Sequence, residues 1–290
     1  PMLVDAIRAE GFRLSKNRTA LFWSIAFVPI LSVVLGALTS FVLKGGETKL
    51  LEGANSPELA EMMSRATLDL SAAMVSAAGS LANPLVLLFV LIGAATLYAG
   101  DYRWETWRLI SARNSRPNLI LAKLAVVAGL ALVAMALMLV SSLIENLIRA
   151  TIFGRSLIFT LTGDQVAQFF ALTGLSWLRI LQFTMLSLLA AVVTRSLLAA
   201  LFVPLVVGVA QYFAPQMLGQ MGVMPDAWLS VLVNPAMATD AVQAVIFGGA
   251  AAANLPAGLV LKAWVSLGLW TLVPLAGALA WFQRQDLSKE

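Results

Sequence analysis

Residues 100–117 read GDYRWETWRLISARNSRP. The stretch carries Asp101, Arg103, Glu105, Arg108, Arg113 and Arg116, with Trp104 and Trp107 among them. Apolar runs flank it on both sides, Pro84 to Ala99 before and Leu119 to Leu143 after. A short charged segment between two such runs is a connection between membrane-crossing helices, because about 18 or more apolar residues span a bilayer. That reading sets the class of the whole chain.

Composition agrees. Of 290 residues, 60% are hydrophobic and 12% charged, where soluble domains carry about 25% charge. One water-soluble core cannot absorb that much apolar surface. The net charge of +4 would point to nucleic acid in a soluble chain. Here the bases stand beside apolar runs, where they orient spans, and no nucleic-acid partner is expected. The chain has no Cys and no His, which excludes disulfides, thiolate chemistry, the commonest metal ligand and the usual general base. No metal site is expected.

Outward from the centre, the chain divides into six spans: Leu21–Leu43, Pro84–Ala99, Leu119–Leu143, Phe169–Thr194, Ser196–Phe213 and Gly258–Phe282. The first is longer than a signal h-region and lacks a small-residue cleavage pattern, so it reads as a retained span. Pro29 and Pro204 interrupt two of the spans. Before the first span, residues 1–20 form a helix with Leu3, Ile7, Phe12 and Leu14 toward one side and Asp5, Arg8, Arg13, Lys16 and Arg18 around the rest. That pattern lies flat in a membrane interface. Residues 44–82 form a long connection. Ser56-Pro57-Glu58 looks like a helix start, and Leu59, Met62, Met63, Ala66, Leu70, Ala73 and Met74 recur at helical spacing, predicting one amphipathic helix. Glu145–Gln168 is a mixed connection. Residues 214–257 are broken by Gly and Pro and predict re-entrant or interfacial helices, Ala236–Phe247 among them.

Six spans place both termini on one side. Twelve bases fall on that face (Arg8, Arg13, Lys16, Arg18, Arg103, Arg108, Arg113, Arg116, Lys123, Arg195, Arg284, Lys289) against six on the other (Lys44, Lys49, Arg65, Arg149, Arg155, Lys262). The excess makes the termini and residues 100–117 cytoplasmic. Trp23, Trp177, Trp264 and Trp281 suit the interfacial aromatic belts.

Arg179 is the one charge well inside a span, at an insertion cost of roughly 2.5–3.5 kcal/mol. It either faces the protein interior or snorkels outward, and Glu145 is its candidate partner. No P-loop, His-Glu-x-x-His or G-x-S-x-G pattern occurs, so the chain is not expected to be an enzyme. Asn234-Pro235-Ala236 invites an aquaporin reading, but the only other Asn-Pro, Asn83-Pro84, precedes the second span rather than following it.

Asp101 and Glu105, Thr106, the apolar pair Leu109-Ile110, Ser115-Arg116 and Lys123 together resemble the coupling region of the permeases of type-2 ABC exporters. Glu105 stands where Gly is usual, and Asn114 where Pro is. The closing Phe282-Gln283-Arg284-Gln285-Asp286-Leu287 resembles that family's Phe-x-Arg-Arg-Asp-Leu ending. The resemblance implies an all-α polytopic permease with an N-terminal elbow helix, in a bacterial cytoplasmic membrane. It pairs with a second permease chain, as a homodimer, and with two copies of a separate ATPase that carry ATP and magnesium, so this chain needs no cofactor. Asp101, Arg103, Trp104, Glu105, Thr106, Trp107, Arg108, Ser115 and Arg116 would then meet the ATPase. Asp101 would N-cap a helix to about Ser111, and both indoles would anchor in a partner groove. Arg179 and Glu145 would line a path for a hydrophobic or amphipathic cargo, and a periplasmic protein would be a further partner. The alternative is a passive channel or membrane scaffold that needs no ATPase.

Overall fold

A computed structural model describes residues 2–54, 61, 66–104, 106–111 and 114–285. Helix α1 (Met2–Lys16) opens the chain. A single long rod follows, made of α2 (Arg18–Leu21), a π-helical turn over Phe22–Ala26, and α3 (Phe27–Ala54). Then come β1 (Thr67–Asp69), α4 (Leu70–Gly79), α5 (Pro84–Arg103), α6 (Trp107–Ser111) and α7 (Arg116–Phe153). Strand β2 (Ser156–Ile158), α8 (Gly163–Thr194), α9 (Leu197–Gln220), α10 (Trp228–Val233), α11 (Pro235–Phe247), α12 (Gly249–Ala253) and α13 (Leu259–Arg284) complete it. Six of these helical segments are long and apolar enough to cross a membrane, and the chain has the architecture of a multi-pass membrane protein.

Local chemistry starts and stops the helices. Asn83 accepts from the N–H groups of Leu85 and Val86, with Pro84 at the first position of α5. Thr162 and Gln165 form a reciprocal capping box at α8. Arg195, at φ 57°, turns the chain from α8 into α9, and the Ser196 hydroxyl caps the next helix. Gly154, at φ 61°, ends α7. The π turn lies one turn before Pro29, which has no N–H to give. There the Phe27 N–H reaches back five residues to the Phe22 carbonyl.

Helix α8 is the central post, packed against α13, α9, α4, α5 and α7. At one end the core gathers Tyr98, Trp107, Ile120, Leu188 and Phe282. The middle holds Val28, Val86, Met135 and Ile180. Leu175, Val231, Ala241, Leu259 and Leu267 seat α10 and α11 on α8 and α13. Gly93 of α5 meets the π turn so closely that a Cβ there would overlap Ser24 Oγ and the Leu130 side chain. α3 and α9 leave most of their apolar surface outward (Leu38, Phe41, Val206 and Val209 among it), as helices facing lipid do.

The six spans, the short helices before the last one and the Ala236–Phe247 helix stand where the sequence places them. Other expectations change. The connection predicted over residues 44–82 begins as helix, because α3 runs on to Ala54 beside an equally extended α7, and the Lys44 ammonium sits 5.6 Å over the Phe153 ring. Glu145 lies inside α7, and the mixed connection shrinks to residues 154–162. One amphipathic helix from Leu59 to Met74 is ruled out by strand β1, which pairs in parallel with β2 (Thr67 opposite Ser156). α4 starts only at Leu70, capped by Asp69. The predicted helix start at Ser56-Pro57-Glu58 lies outside the described residues. The buried stripe of α1 is Ala6, Glu10 and Leu14, while Phe12 points outward under the Lys16 ammonium. Trp177 is half-buried and donates to the Ala128 carbonyl at 3.1 Å, so it packs between spans rather than in an interfacial belt.

Candidate functional site

Asp101 sits in the last turn of α5, fully buried, and is the hub of the site. Lys123, equally buried on α7, places its ammonium 2.5 Å from Asp101 Oδ2 and 2.9 Å from Glu10 Oε1 of α1, and donates also to the Leu97 carbonyl at 3.1 Å. Arg13 closes the group, 2.7 Å from Asp101 Oδ1 and 3.2 Å from Glu10 Oε1. Two cations and two carboxylates balance, which is how charge persists away from water. Partial burial works against the Arg13 charge, but the hydrogen bond and field of Asp101, with Glu10 behind it, outweigh this and raise its pKa above the usual guanidinium value.

The chain then leaves α5 and crosses this hub. Thr106 donates through its hydroxyl to Asp101 Oδ1 and through its N–H to the Asp101 carbonyl. Trp107 follows with none of its surface exposed, its ring 5.4 Å from Tyr102, 4.6 Å from Phe282 and 5.3 Å from the Lys123 ammonium. Further on, Arg116 caps the end of α13 by donating to the carbonyls of Phe282, Gln283 and Gln285 at 3.1, 3.0 and 2.7 Å. Gln285 in turn accepts from the Tyr102 hydroxyl and donates to the Val192 carbonyl. Asn114 donates to the Met2 carbonyl, tying the segment to the start of α1. The connection from α5 to α7 is thus stapled to α1, α7 and α13.

These contacts change two expectations. Asp101 does not N-cap a helix reaching Ser111: it belongs to α5, which ends at Arg103, and α6 is a separate short helix. Trp107 is no anchor for a partner, since its own core consumes it. The two indoles face opposite ways, with Trp107 and Ile110 inward and Trp104 and Leu109 outward at 70% and 74% exposure. Arg103 lies 5.4 Å from the Trp104 ring, and Ser115 is exposed at the start of α7 without a side-chain cap. Arg108 belongs to α6, and its side chain and Glu105 lie outside the described residues. Sequence reasoning missed Glu10 and the second role of Arg13. The available signal was an acid on the Ala6–Leu14 stripe of α1, opposite a lysine inside a span that needs a counter-charge.

The other two expected residues are not brought together. Arg179 is buried on α8, where it donates to Gln182 and Gln211 at 2.9 Å each and stacks 4.8 Å from Phe183. Gln182 passes the chain of bonds on to the Leu267 carbonyl of α13 at 3.0 Å. Glu145 accepts instead from Ser32 at 2.7 Å, in a notch that Gly36 leaves open. Two neutral amides therefore hold Arg179 between α8 and α9, so it neither snorkels outward nor pairs with Glu145.

Compared with known protein families, with characterised proteins and with solved structures, the chain finds no match.

Proposed function

We propose that this chain is the membrane permease subunit of an ATP-driven exporter of the type-2 ABC class. It works as a dimer of permeases with two copies of a separate ATPase docked on the connection between α5 and α7. The observation that carries the reading is the division of labour within residues 101–116. Trp104 and Leu109 stand out from the body, while Asp101, Thr106, Trp107 and Arg116 bind the same short segment to three helices. A push on an exposed apolar pair of this kind is delivered to α1, α7 and α13 together, because ion pairs, hydrogen bonds and a buried ring tie the same segment to all three. Exposed large apolar groups on a rigid base are what a partner groove takes up.

In this reading the termini and the α5–α7 connection face the cytoplasm of a bacterial cell, in keeping with the excess of bases on that side. α1 is the elbow helix that shares the push, and α10 to α12 lie at the outer membrane boundary. ATP-driven closure of the ATPases shifts the balance between two states of the permease pair, and an amphipathic cargo leaves toward the outside.

The test is affinity purification of the tagged chain, gently extracted from its native membrane. A stoichiometric P-loop ATPase is expected, and it is lost in Trp104→Ala/Leu109→Ala while the chain itself remains folded. A chain that purifies alone, under conditions that hold other ABC complexes together, overturns the reading in favour of a channel or scaffold.

A further inference from the structure

At the end of the bundle opposite Asp101, a cavity of about 430 Å³ opens between α3, α4, the turn before α5, and α7. Asn83 lines it, and α5 carries the chain from there to Asp101, about 30 Å away at the helical rise. Most of its lining is polar, in a chain that is 60% hydrophobic. The polar groups fall on helix faces at regular spacing. Ser76 and Ser80 come from one side of α4 and its end, and Glu145, Asn146 and Arg149 from one side of α7. The volume lies in the range of small-ligand sites.

The charges decide what fits. Glu145 and Arg149 stand one helical turn apart, a spacing at which opposite charges readily pair, yet they form no ion pair. Glu145 is oriented by the Ser32 hydroxyl at 2.7 Å, which is itself 2.8 Å from Ser141 Oγ. Arg149 makes no hydrogen bond or ion pair among the described residues and is exposed at the cavity rim. The cavity therefore presents a separate negative and positive pole, with hydroxyl and amide groups between.

We infer that this cavity binds the zwitterionic headgroup of a phosphatidylethanolamine-type lipid, its ammonium on Glu145 and its phosphate on Arg149. A primary ammonium donates hydrogen bonds to a carboxylate, and a phosphate takes the guanidinium fork. An anionic lipid satisfies Arg149 alone and leaves Glu145 facing like charge. A free zwitterion shares the headgroup chemistry, and phosphoethanolamine distinguishes that source from the lipid. The site stands independently of any ATPase partner.

The experiment is native mass spectrometry of the full chain, released from detergent micelles doped with palmitoyl-oleoyl phosphatidylethanolamine, phosphatidylglycerol or phosphatidylcholine, with free phosphoethanolamine as a fourth arm. Retention of phosphatidylethanolamine is expected about tenfold or more above phosphatidylglycerol, the gain of one charged hydrogen bond. Glu145→Gln and Arg149→Gln each lower it about tenfold, and Lys49→Gln, an exposed charge toward the far end of α3, leaves it unchanged. Ser76→Trp, at an exposed position on α4, fills the cavity without touching either charge and also abolishes retention, which keeps the test valid if Glu145→Gln fails to fold. Equal retention of phosphatidylglycerol, or retention untouched by Arg149→Gln and Ser76→Trp, overturns the site. Binding of free phosphoethanolamine with no lipid retained overturns the lipid assignment.

Discussion

Lys123 Nζ lies 2.5 Å from Asp101 Oδ2, with both side chains out of contact with solvent, and the pair joins α7 to the end of α5. Glu10 and Arg13 extend it to α1. Breaking such a pair leaves a charge stranded, which costs about 3–5 kcal/mol. Lys123→Met and Asp101→Asn should each lower thermal stability in detergent by that order. Because both substitutions disrupt one network, the double variant should lose clearly less than their sum. Additive losses would show that the two groups act separately.

The two tryptophans of the connection should behave as opposites. Trp107→Ala empties a fully buried site beside Tyr102 and Phe282 and should destabilise by about 3–5 kcal/mol. Trp104→Ala removes an exposed ring and should stay within about 0.5 kcal/mol of the parent. Thermal unfolding followed by tryptophan fluorescence separates them, and equal losses would contradict the burial.

Gly93 admits the π turn of the first span. Gly93→Ala forces its Cβ against Ser24 and Leu130, an overpacking that costs about 1–3 kcal/mol. Leu130→Val in the same chain removes one of the two obstructions and should restore part of the loss. A thermal-shift series of the three variants checks this.

Arg179 and Glu145 serve different neighbourhoods, so their effects should add. Arg179→Ala leaves the Gln182 and Gln211 side-chain oxygens without their donor, at about 1–3 kcal/mol for each one left unsatisfied. Glu145→Ala acts only on Ser32 and its surroundings. The double variant should match the sum within about 0.5 kcal/mol, and a large coupling energy would revive the direct pair.

Asp69 caps α4 and accepts from the Thr160 hydroxyl at 2.9 Å, bridging the two strands' ends. The Thr160 bond, together with the N–H groups of Ala72 and Ser71, holds its carboxyl below the usual carboxylate range. A depressed folded-state pKa means the contribution is complete above the unfolded value of about 4 and is lost as pH falls through the lower, folded one. Amide exchange over residues 67–72 should therefore be steady from neutral pH down to about pH 4 once corrected for intrinsic rates, and accelerate only below it. Asp69→Asn should remove that acid limb, and an onset near pH 6 would implicate a different group.

Much of this was legible in the residues alone. Six apolar runs, Asn83-Pro84 before α5, Ser196 before α9 and the Gly/Pro-broken segment before α13 specify spans and boundaries, because bilayer thickness and capping chemistry act over a few consecutive positions. That Trp107 and Ile110 of the α5–α7 connection share a helix face is also a matter of spacing. That this face turns inward is not, since it depends on Tyr102, Phe282 and Lys123 meeting at one point from three helices. The same holds for Glu10, a solvated helix acid by its neighbours and a buried counter-ion by its contact with Lys123. Arg179 and Glu145 complete the contrast. The sequence by itself determined that each charge needed a partner, because lipid solvates neither. Only the tertiary structure decided that Arg179 donates to Gln182 and Gln211 and that Glu145 accepts from Ser32, because helix packing sets which groups lie within hydrogen-bond reach.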